Sequence, residues 1–158
     1  MKKSENTIGL DKLETESLVE KLNSLLANYQ VFYQNLRGFH WNISGPSFFE
    51  LHAKFEELYT SANLAVDEIA ERILTLEGHP FHTFEDYLTH SNVKPAKDIN
   101  TANETVSVTI SNMTTLIELE REILSIAGKM NDEGTDALMS DYIREQEKVV
   151  WMLRAYNS

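Results

Sequence analysis

From Leu18 to Phe39 the apolar side chains return in steps of three and four: Leu18, Leu22, Leu25, Leu26, Tyr29, Phe32, Tyr33, Leu36 and Phe39. That rhythm marks one buried face of a long amphipathic helix, and Ser44-Gly45-Pro46 breaks it. The same period predicts a second helix over 47–76, with Pro46 just before it and Gly78 just after it. A third is expected over 101–127, through Val106, Ile110, Met113, Ile117, Leu124 and Ile126. Gly128 and the polar stretch Asn131 to Gly134 end it. A fourth follows over 135–156, through Leu138, Tyr142, Val149, Met152 and Leu153. No strand-like alternation of useful length interrupts the pattern, and no internal repeat is present.

Four long helices in 158 residues imply a single all-α domain, a four-helix bundle. The first and last links are short, so the helices they join run antiparallel. The middle link, about twenty residues, is long for a compact domain. It has room to travel the length of the bundle and leave the second and third helices parallel, the single-crossover arrangement of ferritin-like folds. Within it, residues 83–89 predict a short extra helix. Residues 1–10 precede the helical pattern and are expected to form a short flexible tail.

Composition removes whole classes of chemistry. With no cysteine there are no disulfides, thiolate metal sites or cysteine nucleophiles. The formal charge of −11 repels nucleic acid and attracts cations, although it also serves plain solubility. No apolar stretch approaches the length of a membrane span. The opening MKKSENTIGLDKLETES lacks the apolar run of a secretory signal. A cytoplasmic location, with no membrane partner, is the expectation.

Ferritin-like di-iron proteins usually hold metal inside one bundle with Glu-x-x-His motifs. This chain has none: Arg37, Phe49, Leu76, His79 and Tyr87 stand three residues before its five histidines. Instead, the second helix carries His52 and Glu56 four residues apart, then Asp67 and Glu71 four residues apart. Each pair shares a helical face. The pairs are separated by about 22 Å of helix, too far to meet on one ion. Two such helices packed antiparallel about a two-fold axis would bring the first pair of one chain opposite the second pair of its mate, creating two equivalent sites. His40, twelve residues before His52, ends the first helix and is placed to fold back beside it.

The run FHWNISGPSFFELHAKFEELYTSANLAVDEIAER closely resembles the Dps family, the miniferritins or DNA-binding proteins from starved cells. Its signature reads here as His40-Trp41, His52, Glu56, Asp67, Glu71 and Arg72, and the helix plan agrees along nearly the whole chain. The resemblance implies a homododecameric hollow shell with ferroxidase centres at two-fold dimer interfaces. The histidines would come from one subunit and the Asp67/Glu71 pair from the other. It implies oxidation of Fe(II), preferably by hydrogen peroxide, storage as ferric mineral, and protection of DNA from oxidative damage. Imidazole with carboxylates suits iron, and also Zn2+, Co2+ or Mn2+. Glu56 stands where the family often has aspartate.

Bland readings compete with each of these. Polar pairs four apart are common on exposed helices, so the metal reading of His40, His52, Glu56, Asp67 and Glu71 rests on their joint spacing. Trp41 is either a neighbour of the centre, where the family's tryptophans intercept radicals, or a core anchor at a helix end. Arg72 is expected to pair with a carboxylate, and His79, His82 and His90 to lie on the surface. Asp132, Asp136 and Asp141 either cap the last helix or, by the resemblance, line a three-fold pore that draws ferrous ions inward. Lys2, Lys3 and Lys12 are few against an acidic particle, so DNA binding is expected to be weak or absent at physiological salt. The rival function is a DNA-compacting stress protein with secondary metal binding.

Overall fold

A computed structural model describes residues 5–158. Lys2, Lys3 and the start of the expected tail lie outside the described residues. The described residues form five helices: α1 (Lys12–Asn42), α2 (Phe48–Thr75), α3 (Phe84–His90), α4 (Ala102–Lys129) and α5 (Glu133–Tyr156). Four long helices make the bundle and α3 is the short helix of the crossover, as the periodicity predicts. α1 packs against α2, α4 and α3, and α4 packs against α5. Among the described residues no helix is long and apolar enough to cross a membrane.

Caps explain where the ends fall. α1 starts six residues ahead of Leu18 because Asp11 accepts from the amides of Leu13 and Glu14 at 3.0 and 3.2 Å. Its first turn buries no apolar side chain, Leu13 being exposed, so apolar rhythm alone does not reveal it. Thr83, Thr101 and Asp132 cap α3, α4 and α5 in the same way. α2 and α4 close with paired carbonyl contacts: Gly78 N–H to Ile73 O at 2.9 Å, and Asp132 N–H to Ala127 O at 2.9 Å. Glu77 and Asn131 take left-handed backbone (φ 65° and 58°) to make these turns. Gly128 therefore does not stop α4, which runs on to Lys129.

The core lies along the bundle axis, with Leu18, Leu22, Phe39, Phe55, Ile69 and Leu116 among its fully buried members. Three buried asparagines of α1 fasten the crossover to it. Asn23 holds residues 79 and 81, Asn28 accepts from the amides of Asn92 and Val93 at 2.9 Å each, and Asn35 clasps Lys94 O and Ala96 N–H. Extended backbone that would otherwise leave polar groups unpaired is thereby satisfied. Ahead of α1, Asn6 is buried and its side-chain oxygen accepts from the amides of Ile8 and Leu10.

Candidate metal centre

His40 lies in the last turn of α1 and His52 in the second turn of α2. The intervening turn brings their rings into a parallel stack, 3.8 Å between centroids and 16° between planes. Each ring uses Nδ1 on the other's backbone: His40 Nδ1–H donates to His52 O at 2.7 Å, and His52 Nδ1–H donates to His40 O at 2.7 Å. A carbonyl only accepts, so both hydrogens must sit on Nδ1. In a neutral ring the Nε2 lone pair is then free, the state a metal requires. Phe48 stacks on His52 at 5.0 Å and Tyr59 meets His40 edge-on at 5.3 Å. Backbone and aromatic contacts thus fix both imidazoles in orientation, with each Nδ1 committed to a carbonyl.

The acids are on the same helix as His52. At 3.6 residues per turn, His52, Glu56, Asp67 and Glu71 fall within an arc of about 100°. The buried residues Leu51, Phe55, Leu58, Ala62, Ile69 and Ile73 occupy the far side of α2. Glu56, Asp67 and Glu71 are exposed, and His52 is half-buried. Exposed apolar side chains share their stripe: Phe49, Leu64 and Leu74 are 82%, 62% and 56% accessible. Among the described residues no three His, Asp or Glu side chains of this chain converge on one point. The structure joins His40 to His52 and leaves Asp67 and Glu71 about four turns or more of α2 away.

The remaining predicted residues are placed as follows. Trp41 is exposed, which excludes the core-anchor reading, and the Arg37 guanidinium stands 4.8 Å from its ring centroid. Arg72 pairs with a carboxylate: its NH2 donates to Asp132 Oδ1 at 2.6 Å and its Nε to Thr135 Oγ1 at 2.9 Å. Asp132 is buried, and it also caps α5 through the Thr135 amide. Asp136 is half-buried in the first turn of α5, and Asp141 is exposed and paired with Arg144 at 2.8 Å. Of the three acids, Asp132 is thus tied to Arg72 and Asp141 to Arg144. His79, His82 and His90 are exposed, as expected.

Sequence reasoning missed Tyr59 and Phe48 as walls of the histidine pair. Tyr59 follows His52 by seven residues, one helical face, which is the signal that would have found it.

The family model described as a ferritin-like domain matches residues 19–158. An uncharacterized protein of Haemophilus influenzae is 53% identical over 152 residues, covering 96% of this chain and 95% of the relative. The DNA protection during starvation protein of Porphyromonas gingivalis is 42% identical over 156 residues, covering 99% and 98%. The crystal structure of a Dps protein from Vibrio cholerae O1, described as a member of a superfamily of ferritin-like diiron-carboxylate proteins, superposes with a TM-score of 0.96. It is 52% identical and covers 98% of this chain and 97% of that one.

Proposed function

Because the chain belongs to the Dps family of ferritin-like proteins, we propose that it is an iron-storage ferroxidase. It oxidises Fe(II) at sites shared between two subunits, preferably with hydrogen peroxide, and retains the ferric product in a dodecameric shell, sparing DNA. The observation that carries the reading is the reciprocal histidine lock, which leaves two Nε2 lone pairs free beside an outward stripe of acids. A half-site of neutral imidazoles supplied by one chain and carboxylates supplied by another suits ferrous iron, and the carboxylates offset the added charge of the oxidised ion. Phe49, Leu64 and Leu74 on the same stripe are the apolar surface that a second copy would cover.

His40 and His52 bind Fe(II) through Nε2, Asp67 and Glu71 of the mate complete the site, and Glu56 contributes a longer arm. Trp41 stands beside it. Peroxide accepts two electrons and each ferrous ion gives one: 2 Fe2+ + H2O2 + 2 H+ → 2 Fe3+ + 2 H2O. Asp132 is committed to Arg72, so in this reading Asp136 and Asp141 are the acids that concentrate ferrous ions near the shell's openings. The formal charge of −11 keeps duplex DNA at a distance at physiological salt, which places the DNA-compacting alternative second.

The test is anaerobic Fe(II) loading followed by peroxide, recording ferric near-UV absorbance and peroxide consumed. Rapid oxidation at about two Fe(II) per peroxide, lost in H52A/D67A that still assembles, is the expected result. Oxidation no faster than buffer by assembled wild-type protein refutes it. Retardation of duplex DNA in gels at physiological salt would favour the alternative.

A further inference from the structure

The interior of the bundle holds a polar cluster that the proposed iron chemistry does not use. Tyr29 of α1 donates its hydroxyl to Glu120 Oε1 of α4 at 2.8 Å. Gln146 of α5 donates from Nε2 to the same Tyr29 oxygen at 2.7 Å and to Glu120 Oε1 at 2.6 Å. Glu120 is 0% accessible and Tyr29 4%. Glu120 Oε2 and Gln146 Oε1 find no partner in the chain, and no cation forms an ion pair with Glu120 among the described residues. The Tyr142 ring lies 5.8 Å from that of Tyr29. Both tyrosines and Gln146 line a cleft of about 370 Å³ between α2 and α5.

We propose that Tyr29 is a redox-active tyrosine, a one-electron donor that quenches small oxidising radicals entering this cleft, with Glu120 as the acceptor of its phenolic proton. Oxidising a phenol is difficult while the proton stays on oxygen and far easier when a base takes it in the same step. Glu120 is such a base at hydrogen-bond distance. Receiving the proton also removes an unpaired buried charge, which the interior favours. Burial outweighs its hydrogen bonds from Tyr29 and Gln146 and raises its affinity for protons, to a pKa of about 7. With a hydroxyl radical the step balances: •OH + Tyr29–OH + Glu120–COO− → OH− + Tyr29–O• + Glu120–COOH. An electron from Fe2+ and the returning proton restore the resting state, giving Fe3+. Tyr87, by contrast, gives its hydroxyl to the Phe81 carbonyl, which cannot keep a proton.

This role of Tyr29 rests on the ferroxidase reading for its source of radical: a lone Fe(II) that meets peroxide outside the paired two-electron route cleaves it by one electron, Fe2+ + H2O2 → Fe3+ + OH− + •OH. The test therefore has an iron-free arm. Assembled apo-protein is exposed to photogenerated sulfate radical, freeze-quenched and followed by electron paramagnetic resonance, and the same is done after peroxide addition to Fe(II)-loaded protein. Wild type is expected to hold a tyrosyl signal at least about tenfold longer than Y29F. E120Q, which keeps the phenol and the shape of the site, is expected to lose the long-lived component. Y142F is expected to keep it. Wild-type amplitude and lifetime in Y29F or in E120Q, or loss of the signal in Y142F, would overturn the assignment. Absent ferric absorbance in the iron arm with an intact Tyr29 signal in the other would refute the ferroxidase reading alone.

Discussion

Glu120 sets up a stability experiment whose size and sign follow from its surroundings. Burial, partly countered by hydrogen bonds from Tyr29 and Gln146, raises its pKa from 4.5 to about 7. Tyr29 and Gln146 face it directly, Tyr142 packs against Tyr29, and the neighbouring Arg121 charge pulls the other way. Below 4.5 both folded and unfolded chains hold the proton, and stability is indifferent to it. As pH rises from 4.5 to 7 the unfolded chain releases the proton while the folded chain keeps it, so the fold loses stability through that window. Above 7 both are ionised and the loss levels off at about 3 kcal/mol. E120Q cannot ionise, accepts from Tyr29 and Gln146 as before, and adds a donor where two acceptor atoms lack one. Melting midpoints at fixed protein concentration, from pH 5 to 8.5, give the difference curve between variant and wild type. The advantage of E120Q is expected to grow by about 3 kcal/mol across the window and then flatten. Parallel curves, or an advantage that shrinks as pH rises, would refute the reasoning.

R72A strands the buried Asp132 carboxylate without its cation and is expected to cost about 3–5 kcal/mol in chemical unfolding, with R72K costing less. N28A removes the acceptor for two crossover amides; it is expected to lose about 2 kcal/mol and to speed hydrogen exchange at residues 91–93 before the bundle core responds. G78A would set a methyl 2.6 Å from Val19 Cγ1, costing about 1–3 kcal/mol by unfolding, and V19A in the same chain should recover part of that loss.

Much of this architecture is legible in the sequence because apolar period reports burial. Leu18 to Phe39 announces α1, and the spacing of His40 and His52 anticipates their meeting across the α1–α2 turn, while Asp67 and Glu71 stay apart from them, as the proposal of a site divided between chains requires. What burial does not encode goes unread. The first turn of α1 depends on the Asp11 cap, and the end of α4 beyond Gly128 is made where Asn131 takes left-handed backbone. Asn23, Asn28 and Asn35 look like ordinary polar residues until the crossover lies across them. Glu120 carried a signal that was available: it falls in the stripe Met113, Leu116, Ile117, Ile123, Ala127, an acid where the period demands an apolar side chain. The histidine lock was hidden, since backbone carbonyls have no letter in the sequence.

That lock makes the half-site a gauge of alignment between two helices. A slip of one residue between α1 and α2 would turn both imidazoles away from their carbonyls at once, releasing the tautomer as well as the position. A nascent or misthreaded hairpin therefore offers no prepared nitrogen pair. Under the proposed function, ferrous iron would meet an organised ligand set only on chains whose first two helices have reached their final register, so folding itself would inspect the subunit before it is trusted with a reactive metal.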